Sequence, residues 1–299
     1  MVPPVLVSGS RIGIVATARK ITLEELQPAV HILQSWGYEA VFGENLFQSS
    51  HQFSGSDAQR ASDFQQMLDD ERIDAILVAR GGYGSVRIID HIDLSTFMQR
   101  PKWIIGYSDI TVLHSHIHQL TGVPTAHATM PINFPSQVNT GEALSTLRQL
   151  LSGETMQYSW NAHALNRTGE AQGLLTGGNL SVLYSLLGSV SFPDTDGKIL
   201  FLEDLDEYLY HIDRMMMALK RAGALSNLAA IVVGGMSDMK DNTVPFGKTA
   251  EEIIADVVAE FNYPVCFGFP AGHLTDNRAL KLGVNHRLNV ASVCTLQEH

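Results

Sequence analysis

Ser108 stands in Trp103-Ile104-Ile105-Gly106-Tyr107-Ser108-Asp109-Ile110-Thr111. An apolar run leads into the serine and a helical pattern follows it, which is the setting of a nucleophile elbow. A helix start after Ser108 would supply free backbone N–H groups and the positive end of a dipole, both favourable to an oxyanion. Only half of the G-x-S-x-G signature is met, because Ile110 replaces the second glycine. The plain alternative is that Ser108 is a helix N-cap. Arg80-Gly81-Gly82-Tyr83-Gly84 closes another apolar run. Adjacent parallel strands would bring this loop beside Ser108, at the carboxyl ends where ligands bind. One glycine N–H with the amide of Asp109 would make a two-donor oxyanion hole. Phosphate binding and a simple tight turn are the other uses of such a loop, but no Gly-Lys-Ser/Thr follows and the dinucleotide spacing is not met.

A serine nucleophile needs a base. The chain has 12 histidines, so their number selects none. His273 stands out by context, after Gly268-Phe269-Pro270-Ala271-Gly272 and directly beyond a strand pattern. His114, His116 and His118 form an H-x-H-x-H run in which 114 and 118 share a helix face. No carboxylate stands at zinc spacing, so packing or surface roles are expected for them. His127 follows the strand-like Val123–Ala126 and could line a cleft. Glu203 ends the apolar run Ile199–Leu202 and could orient a histidine. Asp204, Asp206 and Glu207 follow it, and composition does not choose among the four. An acidic helix start is the alternative reading.

The elements that must position these residues alternate. Strands are predicted over residues 11–18, 38–42, 74–79 and 102–107, with helices from Thr22 to about Trp36, over 56–70 and over 109–120. Thr22 with Glu25 reads as a capping box. This alternation predicts a parallel sheet covered on both faces. Residues 152–172 are polar and without clear period, and are read as an interdomain connection. Beyond them come strands at 198–202, 229–233, 265–269 and near 287–295. A helix over 207–222 carries Leu209, Ile212, Met216 and Leu219 at helical spacing, with Gly223 suited to its C′ position. The expected division is a domain over 1–155, a linker over 156–172 and a domain over 173–299.

The chain has 299 residues, 45% of them apolar and 17% charged, as an ordered globular protein has. Its net charge is −11, which argues against a nucleic-acid footprint. Two cysteines, Cys266 and Cys294, make no disulfide framework and lack metal-ligand spacing, so a reducing compartment is expected. Residues 1–11 show no signal-peptide pattern and no run of ~18 apolar residues occurs. A cytoplasmic protein without membrane or nucleic-acid partners is the expectation.

Five stretches, A-R-G-G-Y-G at 79–84, G-Y-S-D-I-T at 106–111, G-G-N-L-S-V-L at 177–183, L-E-D-L-D-E at 202–207 and F-P-A-G-H at 269–273, together resemble the LD-carboxypeptidase family of serine peptidases. That family includes muramoyl-tetrapeptide carboxypeptidases and microcin C immunity peptidases. The resemblance runs from about residue 11 to 290. It implies a Ser108–Glu203–His273 triad, an oxyanion hole of the Asp109 amide and a glycine of the 81–82 pair, with Gly82 the choice, and no metal or organic cofactor. It implies an α/β fold, with an N-terminal flavodoxin-like or glutamine-amidotransferase-like domain carrying the serine and a smaller C-terminal α/β domain carrying the other two. It implies a homodimer acting on a small peptide of the murein tetrapeptide class. Arg80 is the candidate to bind the substrate carboxylate, with a structural ion pair as its equal alternative. Relatives read His-Gly-Pro where this chain has His127-Ala128-Thr129, which sets that cleft wall apart. Two other functions compete: a peptidase acting on aminoacyl nucleotides, and a non-catalytic flavodoxin-like binding protein.

Overall fold

The computed structural model describes residues 2–136 and 141–299. The first half carries β1 (Arg11–Val15), β2 (Glu39–Phe42), β3 (Ala75–Val78), β4 (Trp103–Gly106) and β5 (Thr125–His127). The second half carries β6 (Gln157–Asn161), β7 (Gly169–Asn179), β8 (Ile199–Leu205), β9 (Ala230–Ser237), β10 (Val265–Cys266), β11 (Leu280–Leu282), β12 (Asn285–Val290) and β13 (Val293–Glu298). Two compact units result. One holds the residues up to Glu154 together with Arg278–Lys281; the other holds Thr155–Asn277 and Leu282–His299.

The first unit is built on a six-stranded sheet of order β11-β5-β4-β3-β1-β2, with β1 through β5 parallel. β3 and β4 are buried at every position, which is why they read as unbroken apolar runs: helices cover both faces of a parallel sheet. The helices start where the sequence marks them. Thr22 Oγ1 accepts from Glu25 N, and Glu25 Oε2 accepts from Thr22 N at 2.8 Å. Ser56 and Gln59 repeat the device for the Asp57–Asp69 helix. These reciprocal bonds satisfy N–H groups that a helix start leaves open.

The second unit has a seven-stranded sheet of order β10-β9-β8-β7-β12-β13-β6. Strands β7 to β10 are parallel; β7, β12, β13 and β6 are antiparallel. The helices Leu209–Arg221 and Ala250–Val257 bury Ile212, Met215, Met216, Ile253 and Ile254 against Leu200, Leu202 and Ile231. Gly223 follows the first of these helices at φ 81°.

Three expectations change. The stretch 156–172 is not an irregular connection, since it contains β6 and the start of β7. β6 alternates exposed with covered residues and the start of β7 alternates exposed with half-buried ones, as antiparallel strands with one wet face do, and their polar outward face hid the period. The predicted helix over 109–120 opens as a 3-10 turn at Ser108–Ile110, and α-helix begins at Thr111. The strand expected over 265–269 stops at Cys266, because Phe267 N turns to the side chain of Asn166.

Candidate active site

Ser108 sits just past β4, at the carboxyl edge of the first sheet. Tyr107 is extended, and Ser108 then adopts φ 63°. A non-glycine residue in the left-handed region is strained, by roughly 1–3 kcal/mol. Neither the 3-10 turn nor the Thr111–Thr121 helix receives a side-chain cap here, so the turn does not use the serine hydroxyl as an N-cap. Gly106 permits the tight return, because a Cβ there would lie 2.8 Å from Ile110 Cγ1.

The glycine loop ends β3, the neighbour of β4. A Cβ on Gly81 would stand 3.1 Å from Ser108 Cβ and 3.3 Å from its Oγ. A glycine here leaves the space beside the hydroxyl uncrowded, where a side chain would press on Ser108. Asp109 is buried, and its carboxylate accepts from Ser85 N at 2.8 Å, tying the serine turn to the glycine loop. Burial pushes the Asp109 carboxyl up from the usual range, opposed by the Ser85 bonds. From the other side the buried Arg60 guanidinium donates to the carbonyls of Thr17 and Gly84 and pairs with Asp57. Arg80 faces Glu25, Nη1 to Oε1 at 3.5 Å, the bracing alternative open to it.

The histidine run packs. His114 is buried, and its Nε2 donates to Gly106 O at 2.9 Å, two residues before the serine. His116 is buried, and His118 Nδ1 meets Val123 O at 3.3 Å. Among the described residues no group of three metal-ligating side chains gathers. His127 is buried with its ring 5.9 Å from that of Tyr107 and 6.5 Å from that of His114.

His114 sets an acid limit on stability. Burial pushes it down to about 4, whereas in the unfolded chain it protonates near 6.5. Between these values the unfolded state binds more protons, so this contribution is whole above about pH 6.5 and is lost as pH falls through 4. The loss should reach about 3 kcal/mol. In His114→Gln the urea midpoint should fall less between pH 6.5 and 4.5 than in the wild type. Parallel profiles for the two would contradict it.

In the second unit Glu203 is fully buried on β8. Its Oε2 accepts from His273 Nδ1 at 2.7 Å and from His273 N at 3.2 Å. A carboxylate only accepts, so Nδ1 carries the hydrogen and Nε2 keeps its lone pair, the tautomer a general base needs. Gly272 makes the approach possible: it has φ 103°, and a Cβ there would lie 2.7 Å from Glu203 Oε2. Asn277 Oδ1 holds Gly272 N at 2.8 Å, and Ser237 Oγ donates to His273 O at 2.7 Å.

The four clustered acids separate by partner. Glu203 takes His273, Asp206 pairs with Lys240 at 2.7 Å, and Glu207 meets His211 at 2.6 Å. Asp204 is buried and accepts from Asn179 Nδ2 and the amides of Ser181 and Leu205, each at 2.9 Å. Burial and then the Glu203 charge push Asp204 up to about 7. The G-G-N-L-S stretch thus anchors the end of β8. Asn179 also caps the Leu180–Ser185 helix, and Gly177 lies where a Cβ would overlap Phe201 O. Sequence reading found the stretch but not this role.

A serine on a strained strand-to-helix turn beside a glycine loop, and a histidine held at Nδ1 by a buried carboxylate, are the parts a serine hydrolase uses. The LD-carboxypeptidase N-terminal domain matches residues 12–128 and the LD-carboxypeptidase C-terminal domain matches residues 172–288. The chain belongs to the LD-carboxypeptidase family of peptidases. A probable murein peptide carboxypeptidase of Bacillus subtilis is 34% identical over 97% of this chain and 92% of its own length. The crystal structure of a muramoyltetrapeptide carboxypeptidase from Oxalobacter formigenes superposes with a TM-score of 0.89 at 25% identity, covering 97% of this chain and 98% of that one. A microcin C7 self-immunity protein in complex with aspartyl sulfamoyl adenosine shares the fold, with a TM-score of 0.88 at 22% identity over 98% of this chain and 97% of its own.

Proposed function

We propose that this protein is a serine carboxypeptidase that removes the C-terminal D-alanine from murein tetrapeptides, cutting the L,D bond. The observation that carries the reading is the 2.7 Å contact from His273 Nδ1 to the buried Glu203, in a chain whose relatives are carboxypeptidases of murein peptides. Ser108 Oγ attacks the carbonyl carbon before the terminal residue, and His273 Nε2 takes the hydroxyl proton. Glu203 holds the tautomer and stabilises the imidazolium. The amides of Gly82 and Asp109 receive the oxyanion. His273 then returns the proton to the departing D-alanine nitrogen, and water hydrolyses the acyl-enzyme. No step calls on a metal or organic cofactor.

The order β2-β1-β3-β4-β5 supports a flavodoxin-like description of the first unit. The two buried free cysteines and the recycling of cell-wall peptides support a cytoplasmic setting, and the acidic balance supports a partner list without nucleic acid. No helix among the described residues is long and apolar enough to cross a membrane. The homodimer rests on family resemblance.

Mass spectrometry of products from murein tri-, tetra- and pentapeptides and from aminoacyl sulfamoyl adenosines tests the substrate. Tripeptide and free D-alanine from the tetrapeptide are expected. Cleavage confined to the aminoacyl nucleotides would overturn the reading in favour of an immunity-type peptidase.

A further inference from the structure

A carboxypeptidase must hold the terminal carboxylate of its substrate close to the nucleophile. In a peptide that carboxylate carbon lies about 3–4 Å from the scissile carbon, so its partner must stand at the same edge of the sheet as Ser108. Four arginines flank the glycine loop. Arg60 is buried in its ion pair with Asp57, Arg87 pairs with Asp57 at 2.7 Å, and Arg80 faces Glu25. Among the described residues the guanidinium of the exposed Arg19 makes no hydrogen bond and no ion pair.

Its placement is built. Arg19 follows the carboxyl end of β1, and β1, β3 and β4 are successive neighbours in the sheet. Their three carboxyl ends therefore carry Arg19, the glycine loop and Ser108 in a row. Arg19 N donates to Gly81 O at 3.4 Å, fixing the backbone of one loop to the other. Gly82 has φ 110°, and a Cβ there would overlap the Arg19 stem at Cγ and Cδ. The two glycines thus divide the loop's work: Gly81 admits the serine side chain on one side, and Gly82 gives the Arg19 stem a bed on the other. An arginine stem laid on a backbone is held in direction while its head stays open to a ligand, and the guanidinium fork matches a carboxylate bidentately.

We infer that Arg19 is the residue that binds the substrate's terminal carboxylate, and so sets the preference for a free C-terminus. This rests on the carboxypeptidase reading above. The expected discrimination is that of a charge-assisted pair, about 10- to 100-fold in kcat/KM.

The experiment compares L-Ala-γ-D-Glu-mesoDap-D-Ala with its C-terminal amide on the wild type and on Arg19→Met, Arg19→Lys, Arg80→Met and Arg87→Met, each checked for folding by its thermal midpoint. The wild type should prefer the acid. Arg19→Met should lose about 10-fold or more on the acid with little change on the amide, and Arg19→Lys should recover part of the preference. Arg87→Met, which removes a neighbouring charge, should keep the wild-type ratio. Preference that survives in Arg19→Met, or that vanishes in Arg80→Met instead, overturns the assignment and leaves the carboxypeptidase reading standing. Equal wild-type rates on acid and amide would overturn that reading itself.

Discussion

Ser108→Ala is expected to lower kcat/KM on the murein tetrapeptide by about 10⁴-fold or more, while the protein stays folded. Alanine loses the only atom that can form the acyl bond. It meets the same φ 63° strain as serine, and no helix cap depends on the hydroxyl. The stability change should therefore stay within about 1 kcal/mol. Turnover by the purified variant and its urea midpoint, measured on the same preparation, separate the two effects. Near-wild-type turnover would remove Ser108 from the chemistry.

Glu203→Gln should cost about 10³- to 10⁴-fold in kcat with KM little changed. The amide is isosteric and can still accept from His273 N. With its oxygen in the place of Oε2 both His273 bonds survive, but a neutral amide no longer stabilises the imidazolium; with its NH₂ there, it donates to Nδ1, drives the proton to Nε2 where the base is needed bare, and opposes His273 N–H. The loss should fall on kcat because the imidazolium that Glu203 stabilises exists only along the reaction path. Removing the Glu203 charge also removes one of the causes that raise Asp204, so the carboxyl of Asp204 should titrate lower in this variant. A variant that keeps wild-type kcat would show that the buried pair serves the fold alone.

Much of the first unit was legible because its signals are local. β3 and β4 are continuous apolar runs, the Thr22 and Ser56 caps bond within three residues, and the turn at Ser108 is announced by Gly106 and the helix after it. The second unit was harder. The choice of Glu203 over Asp204, Asp206 and Glu207 depends on a partner 70 residues away, which composition and spacing do not encode. β11 is three residues long and joins the first sheet from near the far end of the chain, too short to carry a period. β6 and β7 hide behind a polar outer face. Arg19 belongs to no motif; its position over Gly82 follows from the pairing of β1 with β3 and from the φ of one glycine, both of which exist only in the fold.

The most direct measurement of the central claim is mass spectrometry of the murein tetrapeptide after incubation in ¹⁸O-water, with wild type and Ser108→Ala side by side. Attack by Ser108 and hydrolysis of the acyl-enzyme place one ¹⁸O in the new carboxylate of the tripeptide and leave the released D-alanine unlabelled. The wild type is expected to give that pair of products and Ser108→Ala neither. An intact tetrapeptide with active wild-type enzyme, or labelled tripeptide formed equally well by Ser108→Ala, would contradict the account.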